Sequence, residues 1–252
     1  EDLNRVFAGH SDEETGLKLS AMADAGGKSD WRRQIVPCEE SVLGLIRVAC
    51  YVHEVSEAID MVHHAHSLGY ETTLNVMAIS VASEQEIDQA LEVGAASPAG
   101  TVVVDDSFGN LYREQVDYLV RKYMDAVAGT GKEIGIHAHN NLQLAFANTI
   151  EAIILGANRV DAPMMSMGRG AGNCPMEILL GFLRNPKFDL RPVLDVIQNS
   201  ILPLRDVHDW GPSIPYQLTA KMNRHPRAAI EFRAGDDPDD YVAFYDQITA
   251  DP

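Results

Sequence analysis

The sequence alternates between short apolar runs and amphipathic helical patterns, and this alternation limits the fold more than any other feature. Six runs read as β-strands, each followed by a loop and a helix: residues 17–23, 45–51, 72–79, 101–104, 134–139 and 159–165. Their starts recur about every 30 residues, the spacing of parallel strands that alternate with covering helices. The pattern predicts an α/β fold with a parallel sheet, either a barrel or a doubly wound sheet.

Capping signals place helices behind these strands. The helical pattern at 55–68 stops before Gly69, because glycine tolerates the left-handed conformation that ends many helices. The next helix starts at Ser83, with Glu86 three residues later as in a capping box, and its apolar face runs to a predicted stop at Gly94. Each signal lies between two predicted strands, as a βα repeat requires.

The alternation of strand and helix patterns ends after about residue 180, where helical patterns continue without strands between them. Residues 182–205 and 216–225 read as helices. A chain of 252 residues with 46% hydrophobic content can bury one large core. We therefore predict a single domain over residues 1–252, in which residues 182–252 form a helical C-terminal extension.

The charge balance and the cysteines exclude several classes of protein. With 37 acidic and 20 basic residues the formal net charge is −17, which argues against a surface for nucleic acid or an anionic membrane. No apolar run is long enough to span a bilayer, and the N-terminal residues lack a signal-peptide pattern. The three cysteines are widely spaced, so they indicate neither a disulfide framework nor a thiolate zinc site. We expect a cytoplasmic protein.

Two histidines stand at the end of the fifth predicted strand, in I-G-I-H-A-H-N-N. His137 and His139 are two residues apart, so their side chains point to the same face of the strand. In a barrel, the carboxyl ends of the strands carry the active site. The pair therefore predicts two metal ligands, with Asn140 and Asn141 as polar neighbours. The alternative is two hydrogen-bonded histidines in the core or on the surface.

A glycine-rich loop, M-G-R-G-A-G-N-C-P, follows the sixth predicted strand. Gly168, Gly170 and Gly172 allow backbone conformations and close approaches that other residues do not. These glycines fit a tight turn or a phosphate cradle, although no lysine of a nucleotide-binding loop follows them. Asn173 ends the loop where a helix is about to start, so an N-cap is the simplest role for it.

Taken together, three motifs carry a resemblance to a known family. H-A-H-N-N, the glycine loop through Asn173 and V-V-D-D-S-F-G resemble the metal-dependent aldolase and acyltransferase superfamily, also called the DRE-TIM metallolyases, which includes 3-hydroxy-3-methylglutaryl-CoA lyase. The likeness is greatest to its 4-hydroxy-2-oxovalerate aldolases. It implies a TIM (β/α)8 barrel with a divalent metal, Mn²⁺, Mg²⁺ or Zn²⁺, whose ligands are His137, His139 and Asn173.

The sequence departs from this family at one motif. The family takes an Asp ligand and a substrate-binding Arg from an R-D-G motif at the end of its first strand, and R-D-G does not occur in this chain. By order of elements, the first predicted strand corresponds to the third strand of the family. We therefore expect a barrel that lacks its first two βα units, about 50 to 70 residues.

The resemblance, together with the positions of the residues, predicts roles for five further residues. Asp106 and Ser107 are expected to bind substrate, with Ser107 also catalytic, although a solvated turn capped by an aspartate fits equally well. Asn141 is expected to contact substrate. Arg47 lies within the second strand, where an internal ion pair is favoured and a catalytic contact with substrate is a second role. Tyr216, in a P-Y-x-x-T helix start, is expected to serve acid/base chemistry.

The implied function is cleavage of a 4-hydroxy-2-oxo acid to pyruvate and an aldehyde through a metal-stabilised enolate. Two alternatives share the fold, a Claisen-type acyl-CoA lyase and a 2-oxo acid acyltransferase. A third is a barrel that has lost the first-strand Asp and Arg and is not catalytic. The expected partner is a small 2-oxo acid, with neither nucleic acid nor membrane. A homo-oligomer is expected, and aldolases of this kind can pair with an aldehyde-consuming dehydrogenase.

Overall fold

The computed structural model describes residues 5–7, 16–27, 30–205 and 207–250. The first four residues, part of the segment in which no signal peptide is predicted, lie outside these ranges. The described strands are β1 Ser20–Asp24, β2 Leu45–Tyr51, β3 Glu71–Met77, β4 Thr101–Asp106, β5 Glu133–Ala138 and β6 Arg159–Val160. They follow one another in one sheet in the order β1-β2-β3-β4-β5-β6, and the first three pairings are parallel.

Eleven α-helices have given bounds within the described ranges. They are α1 Trp31–Gln34, α2 Val55–Ser67, α3 Glu84–Ala96, α4 Arg113–Ala126, α5 Ala145–Leu155, α6 Met176–Leu183, α7 Leu190–Val196, α8 Leu202–Arg205, α9 Ile214–Lys221, α10 Arg227–Arg233 and α11 Tyr241–Ala250. A π-helical segment, Ile197–Ile201, joins α7 to α8. No helix among the described residues is both long and apolar enough to cross a membrane.

The chain divides into two compact units. The first comprises Glu1–Asp105 and Val120–Gly135, and the second comprises Asp106–Leu119 and Ile136–Pro252. The prediction of a single domain stays a prediction.

In the first unit, β2 shows why the sheet forms where it does. Ile46, Val48 and Cys50 alternate along the strand and are buried, and α2 packs against this strand. Arg47 lies on the opposite face, half-buried, in register with Met22 of β1 and Thr73 of β3. The strand therefore has one apolar face and one mixed face.

The predicted capping box is present at the start of α3. The Ser83 hydroxyl accepts a hydrogen bond from the Glu86 backbone N–H at 3.3 Å, and the Glu86 carboxylate accepts one from the Ser83 backbone N–H at 2.8 Å. Two backbone donors that the helix leaves unpaired are thereby satisfied.

Ser83→Ala removes one half of this box. We expect the free energy of unfolding to fall by about 1 kcal/mol, because one N–H at the helix start loses its side-chain acceptor. Urea unfolding measures the change. Ser83→Asp, which retains a capping oxygen, is the control and should stay close to the parent protein. Equal stability of the alanine and aspartate variants would contradict the assignment.

Three sequence predictions about element ends were wrong. The strand predicted at 159–165 stops at Val160, because Pro163 has no N–H to donate to a neighbouring strand. The helix predicted at 182–205 is broken where Arg184 adopts a left-handed conformation ahead of an Asn-Pro pair. Gly94 does not end α3, and a Cβ there would meet Leu74 at 3.0 Å, so this glycine allows close packing of the helix on β3.

In the second unit, the helical tail has its own apolar core. Tyr216 of α9, Ala229 of α10 and both Phe244 and Ile248 of α11 are buried together with Ala171 of the glycine loop. Phe232 stacks on Phe244 with ring centroids 4.5 Å apart. Because Ala171 belongs to this cluster, burial of the tail helices fixes the position of the glycine loop.

Candidate active site

Except for Arg47, the residues of the candidate site belong to the second unit. β5 ends at Ala138 and brings the two predicted histidines together. The ring centroids of His137 and His139 are 5.0 Å apart, as the strand alternation predicts. His139 forms an isolated antiparallel bridge with Asn173, so the strand end and the glycine loop are joined by their backbones at this point.

The imidazole of His137 is held from both sides. Its Nδ1 donates to the Asp161 carboxylate at 2.7 Å, and its Nε2 accepts a hydrogen bond from the Asn173 amide at 3.1 Å. This pairing fixes the tautomer with the proton on Nδ1 and the lone pair of Nε2 toward Asn173. Asp161 was not predicted as a site residue, because it was placed inside a longer strand. The sequence D-A-P could have indicated this role. Its proline ends the strand close to Asp161, which places the aspartate at a strand end, as His137 and His139 are.

His139 has a buried nitrogen that is available to a ligand. The residue is 8% exposed, and its Nδ1 has no hydrogen-bond partner among the described residues. Burial lowers the pKa of His139 well below its usual value, and the neighbouring His137 and Arg169 lower it further. The imidazole is therefore neutral near pH 7 and retains a lone pair.

Asn173 reaches His137 because of the glycines around it. Gly172 has φ +82°, and a Cβ there would overlap the Ser166 carbonyl oxygen. That same oxygen accepts the Asn173 backbone N–H at 3.1 Å, and the Gly172 carbonyl accepts the Asn140 N–H at 2.7 Å. The role of N-cap for Asn173 was wrong, since α6 starts at Met176 after Pro175 and the Asn173 side chain bonds His137 instead.

Asp106 and Ser107 lie at the end of β4 and are buried. The Asp106 carboxylate accepts the backbone N–H groups of Asn110 at 3.1 Å and Leu111 at 3.3 Å. It thus caps its own loop, as the alternative of a capped turn predicts, but it is 1% exposed rather than solvated. The Ser107 carbonyl accepts a hydrogen bond from Arg169 at 2.7 Å.

Asn141 joins two loops of the site. Its amide nitrogen donates to the Phe108 carbonyl at 2.9 Å, and its oxygen accepts the Ala171 N–H at 3.4 Å. The residue is 1% exposed. Both ends of this amide contact backbone groups, so the structure gives Asn141 a role in holding the loops, and its predicted contact with substrate stays a prediction.

Tyr216 lies on α9 against the glycine loop. A Cβ at Gly170 would be 3.3 Å from its ring, and the Arg233 guanidinium lies 5.4 Å from the ring centroid. Burial raises the pKa of Tyr216, although the charge of Arg233 opposes the shift. The phenol therefore carries its proton at neutral pH.

Two further residues of the second unit were not predicted. Arg169 of the glycine loop has its Nη1 3.4 Å from Nε2 of His225, which follows α9. His225 is 56 residues from Arg169 along the chain, and no local pattern indicates such a contact.

Arg47 belongs to the first unit, and its catalytic role stays a prediction.

Comparisons with known proteins agree with the motifs. The HMGL-like family model matches residues 48–198. A 4-hydroxy-2-oxovalerate aldolase from Marinomonas sp. is 29% identical over 218 residues, which cover 81% of this chain and 63% of that protein. One from Bacillus cereus is 34% identical over 167 residues, covering 65% of this chain and 48% of that protein. The chain thus spans 48% to 63% of the length of these relatives.

Solved structures share the fold at low identity. The HMG-CoA lyase of Bacillus subtilis has a TM-score of 0.65 and 14% identity, covering 82% of this chain and 76% of that one. The carboxyl transferase domain of Rhizobium etli pyruvate carboxylase, with pyruvate, has a TM-score of 0.72 and 15% identity. The match covers 95% of this chain and 46% of that one. These likenesses confirm the predicted TIM-type α/β architecture.

Proposed function

The chain belongs to the HMGL-like family, whose model matches residues 48–198, and on this premise we propose that it is a divalent-metal-dependent aldolase. The proposed reaction splits a 4-hydroxy-2-oxo acid into pyruvate and an aldehyde. The observation that carries the proposal is the convergence of His137, His139 and Asn173 at the end of β5. The names of the similar aldolases support the choice of reaction.

The residues present fit part of a divalent-cation shell. His139 has a buried Nδ1 without a partner among the described residues, and Nε2 of His137 carries a lone pair that accepts the Asn173 amide N–H, a hydrogen bond that a bound ion would replace. Imidazole nitrogen suits Mn²⁺ and Zn²⁺, and an amide oxygen suits Mg²⁺ and Mn²⁺. No group of three His, Cys, Asp or Glu side chains in the described ranges could hold a metal. Asn173 is therefore the third ligand in the proposal, and Mn²⁺ or Mg²⁺ is the proposed ion, with Zn²⁺ as a further choice.

The proposed chemistry divides between the ion and the chain. A divalent ion held by His137, His139 and Asn173 would supply Lewis-acid polarisation of the carbonyl of the 2-oxo acid. Asp161 holds the His137 imidazole in the tautomer that leaves Nε2 free of a proton. Tyr216 holds a proton at its phenolic oxygen, since burial raises its pKa, and it serves as the acid/base group. Ser107, Asp106 and Asn141 are the proposed substrate contacts.

Asp161→Ala tests the support that this carboxylate gives to His137. We expect the affinity for Mn²⁺ to fall about 10- to 100-fold, because the imidazole loses the acceptor that fixes its orientation and tautomer. Titration calorimetry measures the change. Asp246→Ala, on the exposed side of α11, is the control. An affinity equal to that of the parent protein would show that Asp161 does not act through His137.

The proposal extends to the partners and the location of the protein. A homo-oligomer in the cytoplasm is proposed, with a small 2-oxo acid as substrate. An aldehyde-consuming dehydrogenase is the proposed protein partner, because it would remove the second product.

Pyruvate release from 4-hydroxy-2-oxo acids of increasing length tests the reaction. We expect release with Mn²⁺ or Mg²⁺ present and none after chelation. An acyl-CoA thioester arm is run in parallel. Metal-dependent turnover of the thioester without pyruvate release would instead identify a Claisen-type lyase or acyltransferase, and turnover of neither substrate would favour a barrel that is not catalytic.

A further inference from the structure

Arg169 is a cation at the edge of the candidate site. Its Nη2 donates to the Ser107 carbonyl at 2.7 Å, which anchors one side of the guanidinium. Its charge contributes to lowering the pKa of His225. A local positive charge is thus present here, although the chain as a whole carries a net charge of −17.

The tautomer of His225 follows from its backbone neighbour. Its Nδ1 accepts the Arg227 backbone N–H at 3.0 Å, so this nitrogen carries no proton. Burial, followed by the charges of Arg169 and Arg227, lowers the pKa of His225. The ring is thus neutral near pH 7 with its single proton on Nε2. Phe108 packs edge-on against the ring with centroids 5.8 Å apart and restricts its orientation.

Nε2 of His225 and Nη1 of Arg169 are 3.4 Å apart. In this tautomer both atoms are donors, and a guanidinium has no acceptor. Two donors at this separation do not satisfy each other, but they can share one acceptor oxygen placed between their N–H groups. An anionic oxygen is the strongest acceptor for such a pair, because one donor is charged.

We propose that Arg169 and His225 together bind a carboxylate oxygen of the 2-oxo acid. The inference rests on the proposed aldolase function and names the group that recognises the acid. Ser107 positions the guanidinium through its carbonyl, and Phe108 positions the imidazole. The tail thus contributes His225 to the proposed site in addition to Tyr216.

Pyruvate binding to the protein with saturating Mg²⁺ tests the proposal, with pyruvamide as the neutral analogue. Arg169→Gln is expected to weaken pyruvate binding about 10-fold or more, because a charged hydrogen bond is lost. His225→Leu is expected to weaken it about 3- to 10-fold, the effect of one neutral hydrogen bond. Pyruvamide affinity should change little in either variant. Arg191→Gln, an exposed arginine on α7, is the control.

Arg169→Lys separates charge from shape and should retain part of the affinity, because lysine keeps the charge without the planar fork. Unchanged pyruvate binding in Arg169→Gln, or equal losses for pyruvate and pyruvamide, would overturn the proposal. If the parent protein releases pyruvate from a 4-hydroxy-2-oxo acid and Arg169→Gln does so with the same KM, the carboxylate site is wrong and the aldolase function stands. If the parent protein neither binds pyruvate nor releases it, both fail.

Discussion

Replacing His139 with alanine is expected to weaken divalent-metal binding more than about 100-fold, because loss of a direct ligand exceeds the 10- to 100-fold effect of its supporting groups. The buried Nδ1 of His139 has no hydrogen-bond partner among the described residues. His137→Ala should act in the same direction, since its Nε2 lone pair faces Asn173. Metal-dependent turnover should be lost in both variants.

Metal content after dialysis and titration with Mn²⁺ measure this effect. His66→Ala is the matched control, because His66 is an exposed histidine of α2 in the first unit. Circular dichroism establishes that each variant is folded. Retention of the full metal content in folded His139→Ala would show that the histidine pair does not ligate the ion.

Gly172→Ala is the change with the largest expected effect on stability. The residue has φ +82°, and an added Cβ would overlap the Ser166 carbonyl oxygen. We expect the free energy of unfolding to fall by about 3 kcal/mol, from the left-handed conformation and the overlap together. Because Ser166 also accepts the Asn173 N–H, displacement of this carbonyl should weaken metal binding as well.

Gly131→Ala isolates the conformational part of that cost. Gly131 has φ +79°, but a Cβ there meets nothing within 4 Å. We expect a loss of about 1 kcal/mol from backbone strain alone. Urea unfolding of the two variants gives the difference, and equal losses would mean that the Ser166 contact has no effect on stability.

The periodic parts of the fold were predictable because they depend on local patterns. β2 has the predicted bounds Leu45–Tyr51, and the Ser83 capping box is present. Element ends were predicted less well where one residue blocks a pattern that otherwise continues. Pro163 ends β6 early, and the Asn-Pro pair after Arg184 breaks a helix that the apolar spacing alone would extend.

The candidate site was predictable where it lies on one strand. Alternation placed His137 and His139 on the same face, and their rings are 5.0 Å apart. The residues that hold them come from other elements, and their choice depends on tertiary structure. Asp161 reaches His137 from 24 positions away and His225 reaches Arg169 from 56 positions away, distances over which sequence periodicity carries no information about contact.

Asn173 shows how tertiary structure decides between two local roles. An asparagine just before a helix is typically an N-cap. In this loop the left-handed Gly172 turns the backbone so that the Asn173 amide reaches His137, while the helix starts three residues later at Met176. The left-handed backbone of Gly172 therefore makes Asn173 a candidate metal ligand instead of a helix cap.

Exchange of the methyl protons of pyruvate in heavy water tests the central claim most directly. Removal of a proton from this carbon forms the pyruvate enolate, the same species that the proposed aldolase reaction produces. The measurement can therefore be made without knowing which aldehyde is the second product. We expect the protein with Mg²⁺ to incorporate deuterium into pyruvate, which mass spectrometry detects. Chelation of the metal, or the substitution His139→Ala, is expected to abolish the incorporation. Absence of exchange with metal present, or an equal rate in His139→Ala, would contradict a metal-dependent aldolase site at this histidine pair.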